Sequence, residues 1–390
     1  MEKAVSWKKI LIFAIAVCLF AGIIVKCNQF QKTPLASYKG QKYEKAVVTK
    51  IIKDNLAEDG SRYGTQKVLV KMTTGTYKGK EKQAINPSGT LFGADCKVGA
   101  RIIVIVNKSG TNTGFTVYSQ DRTMAIYGFA LIFAAVVCAI GGKKGVYAIL
   151  SLVFAFACII GIMFPMMYRG ISPIVLTIIV AVLTTIVTLG LLGGYSSKTV
   201  SAILGTAIGV VIAAVAAMAF GKAAGITGYN VSDIEALNYV GQNTKIKIGE
   251  LLFAGIIISA LGAVMDVGMS IASTIQEIYE TDKTLSMKRL FVSGINVGRD
   301  MMGTMTNTLI FAYVGGAMTT LVINYAYDLS YRQLANSYVI GIEIMQGLSG
   351  SLGVVLTVPI TALIASFLAV RKKINFIIHK INHKYGLWIL

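Results

Sequence analysis

Charge is scarce in this sequence. Only 14% of its 390 residues are Asp, Glu, Lys or Arg, against about 25% in an average soluble domain. A chain so poor in charge and 55% hydrophobic cannot cover itself with solvated side chains, which excludes an ordinary soluble globule and predicts a polytopic membrane protein. Histidine is rarer still, with two residues, His379 and His383, and the five cysteines include no Cys-x-x-Cys pair. A Cys/His zinc site is therefore not expected. Acidic residues number 18 against 37 basic ones, a net charge of +19. In a soluble chain that excess would point to nucleic acid. Here many of the basic residues flank apolar runs, so membrane topology accounts for them and no nucleic-acid partner is expected. The strings Gly-x4-Gly-Lys-Ser/Thr, Gly-x-Ser-x-Gly and His-Glu-x-x-His do not occur. Nucleotide-driven pumping by this chain and the common hydrolytic chemistries thus find no machinery, and neither an enzyme nor a cofactor is expected.

Eight apolar runs are candidate spans: 10–25, 124–141, 146–164, 173–193, 200–220, 248–275, 304–325 and 347–370. The expected fold class is α-helical, with about eight transmembrane helices. The first run follows Lys8 and Lys9 and lacks a small-x-small cleavage site before Lys26, so residues 1–25 read as a cytoplasmic N-terminus and uncleaved signal anchor. With that end inside, fifteen Lys and Arg fall on the cytoplasmic side, among them Lys143, Lys144, Lys288, Arg289 and Arg371, and five in the short outer loops. The positive-inside rule then puts both termini in the cytoplasm of a multi-pass cell-membrane protein.

Residues 26–122 form the one sizeable polar stretch. Alternating apolar residues over 46–52, 66–73, 101–107 and 114–118, separated by Gly, Asn, Pro and Ser, predict a small extracytoplasmic β-rich domain, a barrel or a sandwich, with an OB-like fold as one candidate. It holds 17 basic against 7 acidic residues, a surface suited to anionic headgroups or an anionic envelope polymer, or simply to water. A bundle of seven spans follows over 123–370. The tail, 371–390, places Ile374, Ile377, Ile378, Ile381, Tyr385 and Trp388 at helical spacing among lysines, as in an amphipathic helix on a membrane surface.

Asp266 is the one charge within 251–275. A carboxylate at such depth costs about 2.5–3.5 kcal/mol on insertion scales, so its presence points to an ion or solute path. Ser259, Gly262, Ala263, Ser270 and Ser273 recur with it at three- and four-residue spacing, a small and polar stripe that also serves close helix packing. Asp300, Thr304, Asn307 and Thr308 fall on one face of the next span. Arg299 and Asp300 stand near its inner boundary as a candidate inner gate, and Thr306 adds a further neutral oxygen. Toward the outer side Glu250, Glu343 and Gln346 are candidates; Glu250 also suits a helix N-terminus. The Gly/Ser stretch 347–353 reads either as a break in the last span or as part of one long tilted helix. No metal is specified by these residues.

The strings Gly262-Ala263-Val264-Met265-Asp266-Val267, Ser293-Gly294 and Gly298-Arg299-Asp300-Met301-Met302-Gly303-Thr304-Met305-Thr306-Asn307-Thr308-Leu309 resemble the YibE/F-like family of bacterial multi-pass membrane proteins. The resemblance covers residues of about 120–370 and extends to the plan of one anchor, an outer domain and a bundle. It implies a permease-like membrane protein and names no catalytic residue. The expectation is a permease for a small ion or solute, with Asp266, Ser270, Thr304, Thr306 and Asn307 in the path. The alternative is a non-transporting scaffold or signalling partner whose outer domain binds an envelope component. The bilayer and a second copy of the chain are the further partners expected.

Overall fold

A computed structural model describes residues 7–385 except 33–34, 37, 39, 56–63, 88–93, 110–111, 195 and 232; the side chains of 7–14, 16, 109, 112 and 372–385 also lie outside the description. The chain divides into two compact units, Pro34–Val136, and Met1–Thr33 with Val137–Leu390.

In the smaller unit, β1 (Gln41–Lys53), β2 (Gln66–Met72), β3 (Glu81–Asn86), β4 (Arg101–Ser109) and β5 (Asn112–Gln120) close into a barrel in the order β1-β2-β3-β5-β4. Neighbours are antiparallel except β3 and β5, which meet in parallel at Ile85 and Thr116. Alternation dictates the interior. Ala46, Val48, Val68, Val70, Met72, Ala84, Ile102, Val104, Val106 and Val117 form one core, of the small and branched side chains that fill a narrow barrel. The expected β-rich domain is therefore present. Its third strand escapes sequence alternation because Lys82 and Asn86, two of its three inward positions, are polar.

Asn86 and Gln66 are both buried at one end of the barrel. Asn86 Nδ2 donates to Gln66 Oε1 (2.9 Å) and to the Ala94 carbonyl (2.7 Å), and Asn86 Oδ1 accepts from the Ala94 amide (3.1 Å). Gln66 Nε2 in turn donates to the Cys96 carbonyl (3.2 Å). Asn86→Ala is expected to orphan these groups at a cost of about 1–3 kcal/mol. Hydrogen exchange at β3 and residues 94–96 should then accelerate roughly 5- to 150-fold, with helix amides unchanged; an unaltered exchange rate in β3 would refute the plug.

Asp121, at the end of β5, accepts from the Thr123 amide (3.1 Å) and pairs with the Lys45 ammonium (2.9 Å). Hydrogen bonding from Thr123, then the Lys45 ammonium, hold its pKa at about 2, below the ordinary 3.8. A folded pKa below the unfolded one contributes stability that is present above the unfolded value and lost as pH falls through the folded one. The barrel should therefore weaken between about pH 4 and about pH 2. In Asp121→Asn that part of the acid dependence should vanish, read as a flatter unfolding midpoint over the same window.

In the larger unit α1 (Trp7–Asn28) packs on a π-helical turn (Ile159–Met163), where Asn28 Nδ2 donates to the Gly161 carbonyl (2.9 Å) and Phe20 meets Phe154. That turn continues α2 (Thr123–Cys158), which belongs to this unit from Val137 on, into α3 (Phe164–Tyr168). Gly142 interrupts α2 with φ 52° and ψ −129°, and a Cβ on Gly145 would lie 2.2 Å from the Val137 carbonyl oxygen. In a straight helix residues eight apart are about 12 Å apart along the axis, so the chain turns back on itself at Gly142. Then come α4 (Pro173–Gly193), α5 (Ser197–Ala223), the short amphipathic α6 (Ile234–Asn243), α7 (Leu251–Thr281), α8 (Met287–Gly316), α9 (Met318–Ala326), α10 (Tyr331–Ala335) and α11 (Tyr338–Tyr385).

Among the described residues five stretches are long and apolar enough to cross a membrane: Thr123–Tyr168, Pro173–Gly193, Ser197–Ala223, Ile248–Thr281 and Tyr338–Arg371. The pair α8 and α9, bent by 61°, makes a sixth. The difference from eight has three sources. Six side chains of 10–25 lie outside the description and the apolar helix described there, Val17–Asn28, is too short to count; 124–141 and 146–164 share the helix broken at Gly142, and 304–325 is divided at the α8–α9 bend. The last span is one unbroken helix through Gly347, Gly350, Gly353 and Pro359. The helical backbone runs on to Tyr385, while the apolar stripe expected in the tail, Trp388 included, lies outside the described residues.

Four helices, α5, α7, α8 and α11, form the centre of the bundle. A Cβ on Gly205 would fall 1.9 Å from Thr361 Oγ1, and one on Gly209 would fall 1.9 Å from Thr357 Oγ1. Antiparallel α5 and α11 thus approach as closely as backbones allow. Ser201, Gly205, Gly209, Ala213 and Ala217, all buried, are the small residues at four-residue spacing that permit it. Gly268 of α7 closes on Thr206 in the same way, and Gly294 and Gly298 of α8 close on Ile275 and Val358.

Candidate functional site

Contacts along α7 and α8 fix their register. Tyr313 Oη donates to Ser259 Oγ (2.9 Å), and Gly298 abuts Ile271 while Gly294 abuts Ile275. The helices are therefore antiparallel, and counting between these contacts brings Asp266 level with Thr304. One helical turn toward the α7 C-terminus, Ser270 comes level with Arg299 and Asp300.

Both helices bury one face in the same apolar core, through Ile257, Val264, Val267 and Ile271 on α7 and Leu290 and Leu309 on α8. Periodicity then turns the opposite face outward. Ser259, Gly262 and Asp266 of α7 are exposed, as are Asn296, Arg299, Asp300, Gly303, Thr304, Asn307 and Thr308 of α8. The polar residues singled out in the sequence thus lie together, but on the outer surface of this chain's bundle and not in its interior. Ser270 is half-buried at the edge of this face. Thr306 is half-buried on a different side of α8 from Thr304 and Asn307, so the structure separates it from them.

Asp266, Arg299 and Asp300 form no ion pair or side-chain hydrogen bond among the described residues. The hydroxyls of Thr304 and Thr308 donate backward, to the Met301 carbonyl (3.1 Å) and the Thr304 carbonyl (2.9 Å). Their protons are thereby engaged in the helix, and their oxygens are left as acceptors. One carboxylate level with neutral oxygen acceptors can hold a proton or a monovalent cation. Among the described residues no three His, Cys, Asp or Glu side chains group as a metal cluster would, so such a cation would rest on a single carboxylate.

The outer candidates separate. Glu250 accepts a hydrogen bond from Ser172 Oγ, and Ser172 Oγ also accepts from the Val175 amide at the start of α4. Lys247 lies 3.9 Å from its other oxygen. Glu250 therefore ties the beginnings of α4 and α7 together. Glu343 is half-buried and is the only charged residue lining an apolar cavity of about 240 Å³ between α8, α9 and α11, with Tyr313, Val314, Leu321 and Ile340 among its walls. Gln346 is half-buried on α11. Neither shares the outward face of Asp266.

Two features escaped the sequence reading. Tyr313, the side chain that locks α8 to α7, carried no signal, since an aromatic residue in an apolar run reads as packing. The α5–α11 seam did carry one, in the four-residue recurrence of Gly and Ala on α5, and it bears on function by exclusion. A seam with no room for a Cβ has no room for a solute.

A helical bundle with membrane-length apolar helices and a polar outward face, carried by a chain with a separate small β-barrel, defines the class. The family model described as YibE/F-like protein matches residues 129–371, more than half of the chain, and the chain belongs to that family. No curated protein matches the chain, and no solved structure does.

Proposed function

We propose that this is a multi-pass cell-membrane permease for a small ion or solute, with both termini cytoplasmic and its path along the outward face of α7 and α8. The observation that carries this reading is the carboxylate of Asp266, unpartnered among the described residues and level with Thr304, midway along a segment, Ile248–Thr281, otherwise long and apolar enough to cross a membrane. Such a group is costly to insert and is retained where it binds something. Thr304 and Asn307 supply neutral oxygens beside it, and Arg299 with Asp300 form the inner gate. Purified protein in sealed vesicles tests the reading through proton and monovalent-cation flux compared with empty vesicles; equal rates for every ion tried would remove the ion-permease assignment.

A second reading rests on the barrel. At the end opposite the Asn86–Gln66 plug, the Lys82 ammonium lies 5.3 Å from the Tyr77 ring centroid and 5.9 Å from that of Phe115, and Lys108 lies 5.9 Å from that of Tyr77. This basic and aromatic mouth on an OB-like barrel suits an anionic envelope component, and favours a scaffold in which the bundle is an anchor. Under that reading removal of residues 34–118 abolishes the phenotype and Asp266→Asn does not; the permease reading requires the reverse.

A further inference from the structure

We propose that the α7–α8 face is completed by a second copy of this chain, packed about a twofold axis normal to the membrane, so that the Asp266 site is built by two chains and is incomplete in one. The dimer itself follows from packing and charge; its role as a path rests on the permease reading above.

Three observations carry the dimer. The first is what the face exposes. Asp266, Asp300, Arg299, Thr304 and Asn307 stand outward on helices whose other sides are packed. Hydrocarbon solvates none of these groups, and helices in membranes associate through them. The second is the glycines. Gly268, Gly294 and Gly298 are each accounted for within the chain, since a Cβ would meet a neighbour at 2.8, 2.6 and 2.1 Å. Gly255 and Gly262 of α7 and Gly303 of α8 meet nothing within 4 Å. Glycine in a helix interior costs about 0.5–1 kcal/mol against alanine, and no contact among the described residues compensates it at these positions. Gly255, Ser259 and Gly262, with Asp266 one turn on, make the small and polar track along which another helix backbone approaches closely.

The third observation identifies the occupant. A twofold axis normal to the membrane brings equal levels of the two chains together. Arg299 and Asp300 are sequence neighbours of opposite sign with no ionic partner among the described residues of their own chain. Across the axis each finds its complement at the same level, Arg299 with the partner's Asp300 and Asp300 with the partner's Arg299. The Asn307 amides, each both donor and acceptor, can pair with one another. Asp266 and Thr304 then meet the partner's Asp266 and Thr304, a site where two carboxylates hold one proton or cation between them.

Photo-crosslinking of the full chain in its native membrane tests this. Benzoylphenylalanine in place of Asn307 should give a product of twice the chain mass. In place of Ile179, exposed on α4, it should give none. Gly262→Leu, whose added Cβ meets nothing within 4 Å among the described residues, should preserve the helical content and folded yield while lowering the Asn307 crosslink at least tenfold. A monomer from the Asn307 position, a crosslink to a different protein, equal yields from both positions, or full crosslinking with Gly262→Leu would each overturn the proposal. Flux in vesicles keeps the two readings apart. A crosslinked dimer without cation flux sinks the path and leaves the interface. Asp266-dependent flux from a protein that stays monomeric sinks the interface and leaves the permease.

Discussion

Asp266→Asn is expected to bring the cation or proton flux of the reconstituted protein down to that of empty vesicles, a loss of at least about tenfold, with folded yield and thermal midpoint unchanged or slightly raised. The amide has nearly the shape of the carboxylate, so packing is conserved while the ionisable group is lost. No ionic partner among the described residues is left behind, because the carboxylate forms no ion pair with any of them. Removing a charge that costs about 2.5–3.5 kcal/mol to insert relieves the fold if anything. A structural role predicts the opposite pattern, with lower yield and an unchanged rate per folded molecule. Thr304→Val, which keeps the volume and removes the oxygen, should give an intermediate loss. A variant with the wild-type rate at position 266 would end the assignment of Asp266 to the path.

The second large effect lies in the α5–α11 seam. Gly209→Leu is expected to abolish folded protein. Even the first added carbon falls 1.9 Å from Thr357 Oγ1, 2.9 Å from Val264 Cγ1 and 3.2 Å from the Gly353 carbonyl. Overpacking a core ordinarily costs about 1–3 kcal/mol, and here two helix backbones would have to separate along a seam that also carries Gly205 on Thr361 and Gly353 on Ala213. Fluorescence-detected size exclusion should show a monodisperse peak for Gly262→Leu and none for Gly209→Leu. Gly209→Ala combined with Thr357→Ala, which removes the nearest clashing atom, should recover part of the peak. Equal behaviour of the two leucine variants would show that the seam is looser than drawn.

The class of this protein is legible in the order of its residues. Long apolar runs, sparse charge and the isolated Asp266 follow from what a bilayer permits, and alternation in four of five strands follows from a barrel with one apolar side. Membrane physics acts on single segments, so segments reveal it. The α8 stripe was likewise legible, because Asp300, Thr304, Asn307 and Thr308 share a face by helix geometry alone. Tertiary structure decided the remainder. The third strand hid because a barrel is closed at its ends by polar groups, Asn86 among them, and polar inward residues erase alternation. The turn at Gly142 and the bend between α8 and α9 hid because apolar letters are the same on either side of a break. Glu250 and Asp266 are both carboxylates of one helical segment, yet one is taken up by Ser172 and the other is left outward. Periodicity gives α7 a polar side and an apolar side, but which side meets α5 and α11 depends on where those helices lie, and that is set by the close fit of Gly205 and Gly209 against Thr361 and Thr357.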